Sequence, residues 1–490
     1  MIKYKSCGGM PVGFIILLFC IHFISPLSAD ETDLDNIIRT QAMPEKKIYL
    51  DLEKSLGIAI TNNFQLKSIN VQGKLQDLTI LERWRDYFPV LSLSYMKSDE
   101  IKINETDINR YRLSADASIV IYDGGKRGLN YDIEKLKSIL ARNDYRIALN
   151  KTIMDVSGLY LDVLKLKDSV KIYKKTHELG LVQLNFINRE LQLGEATKFD
   201  VMEIGAKVKE MELNYEKAKN DYLSAINKFK IALKINWQQP LGLLGSIIDD
   251  ISLKPIGDSP VDKYISMALK NRKEIESSRV ELEINTKTYT INKLYYFPQF
   301  SFGMNYSISD DKYLPREKEW GVSLKVTTAL FGNTGNLDTN YKRGNYGNTR
   351  AANDTATINV LDSMSYRRKI LESRLNMDSA SQNYKDIKEQ ISIDIINSLT
   401  SLKNSWKMIQ IAKQQLELYD LQLVIERLKA NLGESRRYDL MKKEIERGEA
   451  AIAYLDSRVK NLMSILSLES AMGVDLGYLG LYKMNFKSFD

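Results

Sequence analysis

Cysteine and histidine are nearly missing from this chain of 490 residues, which has two of each. Cys7, Cys20 and His22 all fall in residues 1–29, which read as a secretory signal. Lys3 and Lys5 supply its positive charge, and an apolar run extends from Val12 to Ile24. Pro26-Leu27-Ser28-Ala29 then resembles a small-residue cleavage site before Asp30. Cys20 also admits a lipoprotein reading, against which stand bulky Phe19 before it and the apolar segment after it. With the signal removed, no cysteine is left, which excludes disulfides, thiolate metal sites and cysteine catalysis. His177 is then the last histidine. In Lys174-Lys175-Thr176-His177-Glu178 it reads as a solvated helix residue, so histidine metal sites and Ser–His triads are excluded with it. Neither a phosphate loop nor a nucleophile elbow is present. An enzyme is not expected, and no cofactor or metal.

Long hydrophobic runs are also lacking. The apolar run of the signal is about 13 residues, short of the roughly 20 that a spanning helix needs, and no later stretch approaches that length. The balance of charge is mildly basic, +7 for the whole chain, and is spread evenly. With no basic tail and no aromatic–basic stripe, nucleic acid is not expected as a partner. Proline is scarce, nine in all, beside abundant Lys, Glu, Leu and Asp, a composition that favours long helices.

What the chain does have is a repeat. Leu193-Gly194-Glu195-Ala196-Thr197-Lys198-Phe199-Asp200 interrupts a long charged helical pattern, and Leu432-Gly433-Glu434-Ser435-Arg436-Arg437-Tyr438-Asp439 does so again. In each, a glycine ends one helix and a new helix starts beyond it. A single copy would pass as an ordinary helix–turn–helix corner. Two copies at matching places mark a duplicated unit.

Reading in order, residues 30–46 form a polar leader. From 47 to 86 the pattern is helical, with Leu52, Leu56, Ile60, Phe64 and Ile69 on one face, and it stops at Tyr87-Phe88-Pro89. Two alternating runs follow, at 90–96 and 111–122, with Leu91, Leu93 and Tyr95 opposite Ser92 and Ser94, and Leu113 to Ile121 opposite Ser114, Asp116 and Ser118. After Tyr122-Asp123-Gly124-Gly125 comes a helix of roughly 65 residues, about 98 Å at 1.5 Å per residue. Leu149, Ile153, Val156, Tyr160 and Val163 form its seam. The turn at 193–200 leads to a second helix ending near 236, and 237–261, with its Pro and Gly residues, is a connector.

The second unit, 262–473, repeats this order. Strands are expected at 299–307 and 320–331, an insertion rich in Asn, Gly and Thr at 333–363, and a helix with seam Ile395, Leu399, Leu402, Trp406 and Ile409. The turn at 432–439, a last helix and a tail at 474–490 complete it. Pro89 to Pro298 and Tyr122 to Phe331 share one offset, whereas Gly194 to Gly433 and Asp200 to Asp439 share another that is larger by the insertion.

Four strands with one apolar and one polar face cannot close a barrel alone, and their edges would be unpaired. In a soluble chain the apolar face would pack on helices. In a secreted chain a transmembrane barrel is the sharper alternative, apolar outside, polar inside and girdled by Tyr95, Tyr306 and Trp320. Three chains would supply twelve strands.

In this order of elements the chain resembles the TolC-type outer-membrane efflux proteins, the outer membrane factors. The resemblance covers nearly all of the mature chain. It rests on Phe88-Pro89 and Phe297-Pro298 before the strands, on Tyr122-Asp123-Gly124-Gly125 after them, and on the Leu-Gly turns ending at Asp200 and Asp439. It implies an α/β membrane channel-tunnel: a homotrimer whose four strands per chain make a twelve-stranded outer-membrane barrel, continued into the periplasm by a long α-helical coiled-coil barrel. It implies an exit duct for an inner-membrane pump, reached through a periplasmic adaptor, in efflux or type I secretion. Leu193, Gly194, Leu432 and Gly433 match the positions that meet the adaptor, and Asp439 matches a carboxylate of the periplasmic gate. Where a second gate carboxylate can stand this chain has Lys442, with Arg436, Arg437 and Lys443 nearby, so Asp439 would pair with one of these bases in place of a carboxylate-lined gate. A periplasmic or surface coiled-coil scaffold without channel activity is the competing reading.

Overall fold

The computed structural model describes residues 48–100, 108–248, 250–257, 259–344 and 349–484. The expected signal (1–29) and leader (30–46) lie outside the described residues.

A short strand, β1 (Ile48–Leu50), leads into α1 (Leu52–Asn62) and α2 (Phe64–Arg85). The single helix expected over 47–86 is thus broken, and the cause is Asn63. Its backbone is extended, and its side chain accepts the N–H groups of Gln65 and Leu66 at 2.9 and 3.3 Å, which caps a fresh helix. The second unit breaks in the same place. α5 (Val261–Asn271) and α6 (Lys273–Lys293) meet at Arg272, also extended, whose guanidinium holds Glu274 and Asp394 at 3.1 Å.

Between these come β2 (Val90–Glu100), β3 (Ile108–Tyr122), α3 (Lys126–Leu193), α4 (Lys198–Leu233) and two connector strands, β4 (Leu241–Leu243) and β5 (Ile251–Leu253). Beyond α6 lie β6 (Gln299–Asp310), β7 (Glu317–Leu330), β8 (Asn333–Gly344), β9 (Arg350–Asn359), α7 (Tyr366–Asn431), α8 (Arg437–Ala471) and β10 (Tyr482–Met484). β1 pairs with β4, and β5 with β10, so each connector strand takes its partner from outside the connector.

One antiparallel sheet holds the remaining strands in the order β2-β3-β6-β7-β8-β9. β2 outruns the alternation seen in sequence because the ladder continues through Lys97 and Asp99, where hydrophobicity no longer signals it. The insertion at 333–363 is corrected more substantially: it is a hairpin, and the described residues place six strands in this sheet where four were expected. β7 reverses into β8 through Phe331 (φ 50°) and Gly332 (φ 85°), the two positive φ values of a tight hairpin turn. β8 then pairs with β7 from Asn333 to Gly344. Its Asn-, Thr- and Gly-rich sequence hid the strand, because the backbone ladder supplies what side-chain patterning does not.

The helices follow the strands. α3 and α7, with 68 and 66 residues, run about 100 Å each. α2 and then α4 flank the free side of α3, and α6 and α8 fill the space between α3 and α7. The seams expected from sequence are buried where these helices meet. Val156, Tyr160 and Val163 of α3 pack with Phe229 and Leu233 of α4 and Leu462 of α8, while Ile395, Leu399 and Leu402 of α7 pack with Tyr264, Ile465 and Leu468. Tyr160 is wholly buried, and its hydroxyl donates to the Leu244 carbonyl at 3.0 Å, so an apolar core residue also anchors the connector.

Candidate functional site

Two regions offer functional surfaces: the glycine tips and the sheet. At the first tip α3 ends in Gly194, with φ 80°, and the Glu195 N–H donates to the Glu190 carbonyl at 2.8 Å. The second tip is built alike, with Gly433 at φ 76° and the Glu434 N–H on the Lys429 carbonyl at 2.9 Å. This six-to-one bond closes a helix when the next residue is left-handed. A Cβ on either glycine would meet nothing within 4 Å, so the turn asks for glycine through φ alone and leaves bare backbone facing solvent. Leu193 and Leu432, beside them, are each 73% exposed. An apolar side chain next to open backbone is thus presented twice.

The helices that restart after the tips differ. Thr197 and Asp200 form a reciprocal capping box: the Asp200 N–H donates to the Thr197 hydroxyl oxygen at 3.2 Å, and the Thr197 N–H to the Asp200 carboxylate at 2.9 Å. The Thr197 hydroxyl and N–H hold the Asp200 carboxyl below its ordinary range. At the second tip Arg436 stands where Thr197 stands in the first and gives no side-chain cap. Asp439 is exposed in the first turn of α8, its N–H donates to the Arg436 carbonyl at 3.0 Å, and its carboxylate makes no hydrogen bond or ion pair among the described residues. The expected pairing of Asp439 with a nearby base is therefore not made among the described residues.

Of those bases, Arg437 is committed elsewhere. Its Nε donates to Glu190 at 3.0 Å and its guanidinium lies 5.0 Å from the Phe186 ring, fastening the second tip to the first. Lys443 reaches Glu446 at 2.8 Å. Arg436 and Lys442 are exposed beside Asp439. The sequence did not reveal Glu190 or Phe186, because 247 residues separate Glu190 from Arg437 and no local spacing joins them. It also missed the ties between α7 and α8. Arg447 holds Asp420 at 2.8 Å, and Arg427 holds Glu444 at 3.5 Å. Glu444 is buried, and burial pushes its carboxyl above the ordinary range against the pull of Arg427.

The sheet has two unlike faces. On one, Leu91, Leu93, Ala115, Met304, Tyr306, Trp320 and Leu324 stand in cross-strand register. They are uncovered: Leu91 is 75% and Leu93 65% exposed. The other face is concave and polar, lined by Asp116, Ser118, Asn305, Ser323, Asn340 and Lys342. Ser94 bonds Ser114 across the strands at 2.6 Å, and Glu319 holds Arg112 at 3.3 Å and Lys342 at 3.8 Å. Side chains converge on a concave face, so small residues line it. A Cβ on Gly321 would come within 3.0 Å of the Tyr341 carbonyl. Aromatic residues gather at both ends of the apolar band. Tyr295 stacks on Tyr366 at 5.0 Å near the helices, and Trp320 meets Tyr341 at 5.9 Å farther out.

Neither a family model nor a curated protein matches this sequence. Solved structures do match in fold. CusC, described for its folding and transmembrane channel formation, superposes with a TM-score of 0.70 at 14% identity, covering 90% of this chain and 96% of that one. The CmeC outer membrane channel of Campylobacter jejuni gives 0.69 at 16% identity, with 89% and 91% covered. The outer membrane protein VceC of Vibrio cholerae gives 0.68 at 12%, with 86% and 96% covered. Nearly the whole of each protein is matched. The chain therefore has the channel-tunnel protomer fold of the TolC-type outer membrane factors.

Proposed function

We propose that three copies of this chain form an outer-membrane exit duct that conducts substrates passively from an inner-membrane pump and its periplasmic adaptor to the exterior. The observation that carries this reading is the apolar face of the sheet, which is exposed along its length and backed by a polar, concave face. A soluble scaffold would cover Leu91, Leu93 and Trp320 with helices, and their exposure argues against the scaffold reading. Lipid would cover them in a barrel.

The edges of the protomer argue for a ring. β2, α2 and α4 lie on one side of the chain, and β9 and α7 on the other. The α7 edge and its C-cap carry Leu418, Leu421, Ile425, Leu428 and Leu432 at alternating spacings of three and four, all exposed, a coiled-coil seam without a partner among the described residues. Phe199, Met202 and Leu213 are exposed on α4, and Val71, Leu75 and Leu78 on α2. Joining one side to the other satisfies helices and strands together, and repeating the contact closes a ring.

In this duct the Leu193-Gly194 and Leu432-Gly433 tips would form adaptor contacts. Asp439, its carboxylate unpartnered among the described residues, would face its neighbours near Arg436 and Lys442 and help hold the periplasmic entrance closed. The pump supplies the energy and the duct performs no chemistry. The test is extraction. The protein should leave the outer-membrane fraction only with detergent and migrate as an SDS-resistant trimer, whereas a monomer in the soluble fraction would defeat the proposal.

A further inference from the structure

The hairpin β8–β9 changes how such a ring would close. We propose that β9 of one copy pairs with β2 of the next, so that the trimer closes a barrel of eighteen strands. This rests on reading the chain as one third of a trimeric membrane duct, and it commits the free edge of β9 to a second copy of the chain.

Three observations converge. The first is exposure: every residue of β9 is exposed, as are Val90–Asp99 of β2, and among the described residues each strand has a partner on one side only. β2 runs away from the helices and β9 runs back towards them, so the two edges meet antiparallel, as a barrel wall requires.

The second is stagger. Val90, Ser118, Gly303, Ser323, Asn340 and Asn353 lie on one row of the ladder. Val90 begins β2, but Asn353 stands six residues before the end of β9 at Asn359. With strand ends level at the membrane surface, this climb is about 20 Å across six strands spanning about 29 Å. That sets the strands at roughly 35–40° to the barrel axis, within the usual range. Stopping at β7, where Ser323 stands seven residues before Leu330, would give about 23 Å of climb over about 19 Å, or roughly 50°. Six strands so tilted cover about 37 Å of wall, which matches the four helices α2, α3, α6 and α7 beneath them at about 9–10 Å each.

The third is charge. On the outward face of β2, moving away from the helices, stand Leu91, Leu93, Tyr95, Lys97 and Asp99. On the same face of β9, in the same direction, stand Ile358, Ala356, Asp354, Ala352 and Arg350. The stagger brings Asp354 opposite or diagonal to Lys97 of the next copy, and Arg350 beside its Asp99. Within one chain Lys97 and Asp99 hold each other at 2.7 Å, while Asp354 and Arg350 have no ion pair among the described residues. A lone carboxylate on a lipid-facing strand is unfavourable, and a basic neighbour across the seam removes that cost.

Cysteine pairs placed in the full chain test this. Asp354→Cys combined with Lys97→Cys or Tyr95→Cys should give disulfide-linked dimers and trimers on non-reducing gels. Linkage instead through Leu324→Cys with Tyr95→Cys, which reports closure by β7, would overturn the proposal. A trimer by native mass spectrometry with neither link would overturn this seam while leaving the duct standing, and the absence of any trimer would overturn both. Should the variants fail to assemble, a cross-section of the unaltered trimer by electron cryomicroscopy decides directly: eighteen strands support the seam and twelve refute it.

Discussion

At the scale of single residues, glycine and buried carboxylates carry the sharpest expectations. Gly433→Ala forces a Cβ into φ 76° with open space around it, so only backbone strain is added, and stability should fall by about 1 kcal/mol. Gly73→Ala, in helix α2 with equally open space, should instead stabilise by about 0.5–1 kcal/mol. Thermal denaturation of the two variants separates a turn glycine from an incidental one. Glu469 is fully buried and accepts the N–H groups of Gly477 and Leu479 at 2.9 Å each. Burial outweighs those bonds and raises its carboxyl above the ordinary 4.5. The folded state therefore holds the proton more tightly than the unfolded one. Stability from this group is present below pH 4.5 and declines as the pH rises through the raised folded value. Glu469→Gln should remove that decline and, having lost an acceptor for one N–H, lower stability by about 1–3 kcal/mol. Melting curves across this window would show a flatter pH dependence for the variant than for the parent, and parallel curves would refute the assignment.

At the scale of elements, the sequence made the periodic parts legible and left the rest obscure for identifiable reasons. The seams around Tyr160 and Leu399 could be read because a buried face needs apolar residues at three and four spacing, and the turns at Gly194 and Gly433 because they occur twice. The breaks at Asn63 and Arg272 were missed: a cap and two ion pairs decide them, while the apolar pattern runs on through both. Each falls eleven residues into its first helix, so the duplication extends to features that hydrophobicity does not report. Asn63→Ala should cost about 1 kcal/mol through loss of the α2 cap, measured by denaturant unfolding. β8 and β9 were obscure for another reason. A strand patterned by Asn, Thr and Gly is held by its neighbour's backbone, and only pairing with β7 discloses it. The links between Arg437 and Glu190, and between Arg427 and Glu444, depend on helices meeting across the fold, which local sequence does not encode.

At the scale of the whole molecule, the described residues leave an exposed apolar seam on α7, an uncovered sheet face and two free strand edges, which in the proposed duct further copies and lipid would cover. The asymmetry of the tips follows the same logic. Asp200 is occupied in a capping box, whereas the Asp439 carboxylate has no partner among the described residues and in the proposed ring would be available to groups on adjacent copies. Asp439→Ala should therefore loosen the entrance without unfolding α8, where its helix-dipole contribution is about 0.3–1 kcal/mol. An unchanged conductance in this variant would count against the gate while leaving the duct intact. Single-channel recording in planar bilayers, on protein purified in detergent, tests the central claim most directly. The account predicts discrete conductance steps for the unaltered protein and larger ones for Asp439→Ala. Bilayers that stay silent with both proteins would contradict it.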